Sequence, residues 1–123
     1  MKIRLGTVSN GAEAISKLAN MDMGEPILNF RLMTAVDVID DNLRKYQRVC
    51  QKAFEKYSTK ESEGAFNVPL DKIKALNEEV DKAADIEIEI DWEPIEVDIS
   101  ALKGFTAKDM KMLIGTFIKL KGE

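Results

Sequence analysis

Ten carboxylates against one lysine fall between residues 78 and 98, giving that stretch a charge of −9 in a chain whose total is −4. The rest of the chain therefore carries +5. In the second part of the stretch the acids alternate with apolar residues: Glu87, Glu89 and Asp91 oppose Ile86, Ile88, Ile90 and Trp92. After Glu93 and Pro94, Glu96 and Asp98 oppose Ile95, Val97 and Ile99. A row of carboxylates of one sign can imitate a nucleic-acid backbone or grip a basic protein groove, with a field that steers the encounter. The plainer reading is a half-buried strand pair whose outer face must be polar and whose acids discourage edge-to-edge pairing. Hard cations also accept oxygen ligands, but these acids do not follow a calcium-loop spacing with its glycine turn, so no metal site is expected. The candidate partner-binding face is thus Glu87, Glu89, Asp91, Glu96 and Asp98, with Trp92 as a core or interface anchor.

A second group, Arg44, Lys45, Arg48 and Lys52, lies near Tyr46 and Tyr57. Arginine forks and aromatic faces can hold a phosphate-bearing nucleotide. The plainer alternative is a solvated helix surface with its side-chain stems lying along the barrel. Histidine is absent and Cys50 is the sole cysteine. Zinc sites of the usual composition, Ser-His-Asp catalysis and Cys-His catalysis are therefore excluded within one chain. No GxxxxGK[ST] or GxGxxG loop occurs. With only carboxylate or lysine chemistry left, a non-enzymatic protein without a cofactor is expected.

These residues need elements to hold them. Leu28, Leu32, Ala35, Ile39, Leu43, Tyr46, Cys50, Ala53 and Tyr57 recur at spacings of four and three, which predicts one long helix over 27–57. Asp40 with Arg44 and Asp41 with Lys45 stand four apart in the favourable acid-first order. A helix over 10–20, opened by Asn10 and Glu13, is expected before it; residues 1–5 read as a short strand or a lead-in. A polar loop, STKESEGAFNVP, should lead to a helix over 70–84 that returns along the long one. The alternating segments 86–92 and 95–99 predict two acidic strands in a hairpin. Thr106 and Asp109 form a capping box with Phe105 as a staple residue, opening a last helix whose stripe is Met110, Leu113, Ile114, Phe117 and Ile118.

The expected fold is α+β and helix-dominated: a long helical hairpin, a small antiparallel β-hairpin and flanking helices. At 123 residues one domain over 1–123 is expected. No apolar run approaches the about 18 residues that cross a bilayer, and the start lacks a signal-peptide core. A cytoplasmic location follows, which suits a lone cysteine. The negative net charge and the lack of a helix-turn-helix signal argue against duplex DNA. Homo-oligomers are expected because so long an apolar stripe exceeds what the other helices can cover.

The order of elements, with NLRKYQRVCQKAFEKYSTKESEG followed by IEIEIDWEPIEVDISALKG, resembles small proteins encoded by tailed phages and prophages of Gram-positive bacteria. Their helix exit matches Tyr46, Arg48, Phe54, Glu55, Lys56, Tyr57 and Gly64, and their tail pattern matches residues 87–104; the likeness spans about residues 27–115. These are structural spacings, not catalytic signatures, so no site residue comes with them. The resemblance implies one of two roles. One is a factor that neutralises a host defence by binding a protein or sequestering a nucleotide signal in the infected or lysogenic cell. The other is a structural or assembly protein of the virion.

Overall fold

The computed structural model describes residues 1–60 and 66–122. Its order is β1 (Lys2–Arg4), α1 (Leu5–Asn10), α2 (Ala12–Ala19), α3 (Pro26–Tyr57), β2 (Thr59–Lys60), β3 (Phe66–Asn67), α4 (Leu70–Ala84), β4 (Glu87–Glu89) and β5 (Ile95–Val97). A 3-10 turn (Ile99–Leu102), α5 (Ala107–Leu113) and β6 (Ile118–Leu120) complete it. The fold is α+β and helix-dominated, as expected. Gly64 and the middle of the predicted loop lie outside the described residues.

Helix α3 starts at Pro26, whose fixed φ suits a first helical turn. The loop before it is tied down by a side chain of that first turn. Asn29 donates to Asp22 Oδ1 (3.0 Å) and accepts from the Met23 amide (2.8 Å), while the Gly24 amide also bonds Asp22 Oδ1 (2.9 Å). At the other end, Glu79 of α4 accepts from Lys56 and from the Tyr57 hydroxyl, both at 2.7 Å, which fixes α4 back along the second half of α3. Of the predicted stripe, Leu32, Ala35, Ile39 and Ala53 are buried, and Leu28, Leu43, Tyr46, Cys50 and Tyr57 are half-buried. Burial, and next a hydrogen bond to Cys50, push the Tyr46 hydroxyl pKa up. That places Cys50 as a packing residue inside the hairpin.

Three expectations are corrected. The helix predicted over 10–20 is α2, which begins only at Ala12 with no Asn10 side-chain cap, and a further helix that was not predicted, α1 over Leu5–Asn10, precedes it and ends at Gly11. The two acidic strands do not pair with each other. β4 runs antiparallel to β1 (Ile3 opposite Ile88), β5 runs parallel to β6 (Ile95 opposite Ile118), and the antiparallel hairpin of the fold is β2 with β3. Parallel strands need a crossover, and here α5 supplies it. The last helix stops at Leu113 instead of continuing through Ile118. Ile114 (φ −69°, ψ 126°) and Gly115 (φ 90°) make a type II turn closed by the Thr116 amide on the Leu113 carbonyl at 3.1 Å. That turn requires a positive φ at its third residue, so glycine overrides the apolar periodicity.

The capping box at Thr106 and Asp109 forms as predicted. Asp109 does a second job: its buried carboxylate lies 2.6 Å from Lys17 Nζ and joins α5 to α2. The core closes around Val8, Leu18, Ile39, Ile90, Leu113, Phe117 and Ile118. It thus draws on both ends of the chain and on α3.

Two predictions follow from these contacts. Gly115→Ala should lower stability by about 1 kcal/mol in chemical unfolding, since alanine must adopt the positive φ. The Lys17 ammonium, and then the Thr106 amide, hold the Asp109 carboxyl below its usual range, while Asp109 raises Lys17. Asp109 therefore stabilises the fold above the ordinary carboxylate range and loses that contribution as pH falls through its depressed value. Lys17 contributes below the ordinary lysine range and loses its part as pH rises through its raised value. Lys17→Met should move the acid-unfolding midpoint, followed by circular dichroism, to higher pH.

Candidate functional site

The alternating acids are exposed, as the sequence requires, but they do not form one acidic hairpin face. Glu87 stands opposite Arg4 and Glu89 opposite Lys2 in the β1–β4 register, and Glu96 stands opposite Lys119 in β5–β6. Arg4 also reaches Asp85 at 3.5 Å. Asp98, though exposed, is engaged by its own chain. It accepts from the Ser100 amide (3.1 Å) and hydroxyl (3.0 Å), bonds that with nearby Lys121 hold its pKa low. The single sign within each acidic strand is matched by a basic strand beside it. Opposite charges across strands stabilise the pair, and the result is a surface of mixed sign. Asp91 differs from the others: it sits beside Arg31 in a shallow groove between the 90–94 segment and α3.

Trp92 is a core residue and not an interface anchor. It is 6% exposed, and its indole Nε1 donates to the Phe117 carbonyl at 3.0 Å. Alternation put it on the inner side of the strand run, and the indole found its one partner inside the fold.

Arg44, Lys45, Arg48 and Lys52 are all exposed on α3. Asp41 is 3.2 Å from Lys45, as the spacing anticipates, and 3.8 Å from Arg44, which takes it in place of Asp40. The four bases lie along one convex side of the helix barrel.

The feature that sequence reasoning missed is on that same side, nearer the start of α3. Ile27, Phe30, Met33 and Val38 are 73%, 65%, 57% and 38% exposed. The predicted stripe is buried or half-buried; these four residues stand on the opposite side of the helix, and Val49 and Phe54 are exposed further along it. A signal was present, since nine of the thirteen residues over 27–39 are apolar, too many for one face. A helix apolar all round is normally buried all round. The outer side of α3 therefore has an apolar half, Asp37 and Asp41 at its middle, and a basic half.

A separate groove of about 550 Å³ lies where α1 and α2 meet α5, lined by Thr7, Asn10, Glu13, Lys108, Asp109 and Lys111 together with Gly11 and Met112. Among the described residues no group of three or more Cys, Asp or Glu could hold a metal ion, and no helix is long and apolar enough to cross a membrane. No family model, curated protein or solved structure matches the chain.

The strand pairing generates a charge-reversal test. Lys119→Glu should destabilise the fold by setting like charges opposite Glu96, and adding Glu96→Lys should recover most of the loss; a coupling of about 0.5 kcal/mol in a double-mutant cycle is expected.

Proposed function

We propose that this protein is a non-enzymatic, phage-encoded binding protein that neutralises a host defence component in the cytoplasm of the infected cell. Its working surface, on this reading, is the basic half of the outer side of α3. The observation that supports it is the cationic run Arg44, Lys45, Arg48 and Lys52, all exposed on one helix side. Such a run suits an acidic target surface reached by electrostatic steering. The acidic strands recede as a site, because their carboxylates stand opposite Lys2, Arg4 and Lys119.

Sequestration of a nucleotide signal is the second form of the proposal. What favours it is the groove between α2 and α5, whose volume suits a small ligand and whose lining sets Lys108 and Lys111 beside Glu13 and Asp109, a mixed-sign site for a ligand with both donors and an anionic group.

The test is the plating efficiency of a sensitive phage on defence-bearing hosts that express the chain. Wild-type protein should raise it. Combined Arg44→Glu, Arg48→Glu and Lys52→Glu should remove at least tenfold of that gain, while Lys108→Glu with Lys111→Glu should leave it unchanged. The reverse pattern would move the function to the groove. No gain from wild type, with abundant copies of the chain in purified particles, would replace the proposal with a virion role.

A further inference from the structure

From the division of α3's outer side into an apolar and a charged half, we infer that the apolar half binds a second copy of this chain. The two α3 helices pair antiparallel about Thr34. This inference rests on the proposal above for what the basic half then does. It does not depend on that proposal for its own test.

Ile27, Phe30, Thr34, Asp41, Arg48 and Lys52 follow one another at spacings of three, four and seven, so they form a single line along the barrel. The line is apolar at its start and charged afterwards. Ile27, Phe30, Met33 and Val38 leave on the order of 400 Å² of apolar surface open on one copy. With Arg31 and Thr34 at the margin, two copies reach the about 1,000 Å² that separates specific contacts from incidental ones.

Charge decides the partner and its direction. A parallel pair would set Asp41 against Asp41, Arg48 against Arg48 and Lys52 against Lys52. An antiparallel pair about Thr34 brings Phe30 opposite Val38 and places Asp41 beside the partner's residue 27. That is the first turn of its helix, which contains no acid beyond the N-cap Glu25; a carboxylate is favoured at that positive end of the helix dipole, and Glu25 itself comes level with the partner's Leu43 and Arg44. Arg48 then lies opposite no part of the partner's α3. The two Arg48 residues stand roughly 40 Å apart along the axis, well beyond the screening length. The chain is therefore complementary to itself in this one arrangement, with the basic halves projecting at opposite ends of the dimer and free for an acidic target.

Sedimentation equilibrium of the full chain should give twice the 13.8 kDa of one copy. Phe30→Asp should return the mass to that of one chain with an unchanged far-ultraviolet spectrum. In a Cys50→Ala background, Thr34→Cys should form an intermolecular disulfide on mild oxidation, whereas Lys52→Cys should not. A wild-type chain that stays monomeric up to high micromolar concentration, or a Phe30→Asp protein that stays dimeric, overturns the inference. Disulfide formation through Lys52→Cys, which a parallel pair would give together with Thr34→Cys, overturns the antiparallel arrangement. A Phe30→Asp monomer that still protects phage would leave the basic half as the target surface. Loss of protection by the Arg44, Arg48 and Lys52 variant alone, with the dimer intact, reports on the function and not on the dimer.

Discussion

Two strands that carry only acids on their outer faces cannot pair with each other without setting carboxylate against carboxylate. In a hairpin of 86–92 with 95–99, Asp91 would face Glu96 and Glu89 would face Asp98, and like charges directly opposite are destabilising. The chain resolves this by recruiting basic strands from its two ends: Lys2 and Arg4 for β4, and Lys119 for β5. Much of the remaining architecture depends on that choice. Drawing residues 2–4 to residues 87–89 brings α1 and α2 down on α3. Drawing residues 118–120 to residues 95–97 requires a crossover and so places α5 against α2, where Lys17 meets the buried Asp109. Trp92 ends up between the two strand pairs and spends its indole hydrogen on Phe117.

What was legible in the sequence follows from which forces are local. Helices α3 and α4 were readable to within a residue, because their periodicity, the proline at position 26 and the lack of internal breakers all act within a few turns. The capping box at Thr106 was readable for the same reason. The end of α5 was not, although Gly115 was in plain view: Met110, Leu113, Ile114, Phe117 and Ile118 fit a helical stripe, but their burial is satisfied equally by a turn and a strand. The pairing of β4 and β5 was misread because strand periodicity reports a face and not a partner. The sign of the charges held that information. A monotonously acidic strand asks for a basic neighbour, and short alternating basic segments outside the helices lie at the two ends of the chain.

The same distinction explains how the candidate site shifted. Carboxylates drew attention as a possible recognition surface because nothing in their own segment balanced them. Once Lys2, Arg4 and Lys119 stand beside them, Glu87, Glu89 and Glu96 are explained by strand pairing alone. The +5 carried by the rest of the chain is partly consumed there, and α3 keeps a compact run of four bases, Arg44, Lys45, Arg48 and Lys52.

That leaves α3 as the element whose sequence asks for more than the fold supplies. Its inner side would suffice to hold α1, α2 and α4, and a helix serving only that purpose would carry polar residues at positions 27, 30, 33 and 38. Instead Ile27, Phe30 and Met33 are more than half exposed, each with apolar surface that water solvates poorly. The basic run further along the same side cannot cover them, and Asp37 and Asp41 separate the two. Such a helix is stable in the fold yet incomplete in water, and contact with another chain over its first three turns would complete it. The charges beyond Asp41 then determine how that contact can be oriented, because they forbid the parallel pairing that the apolar residues alone would permit.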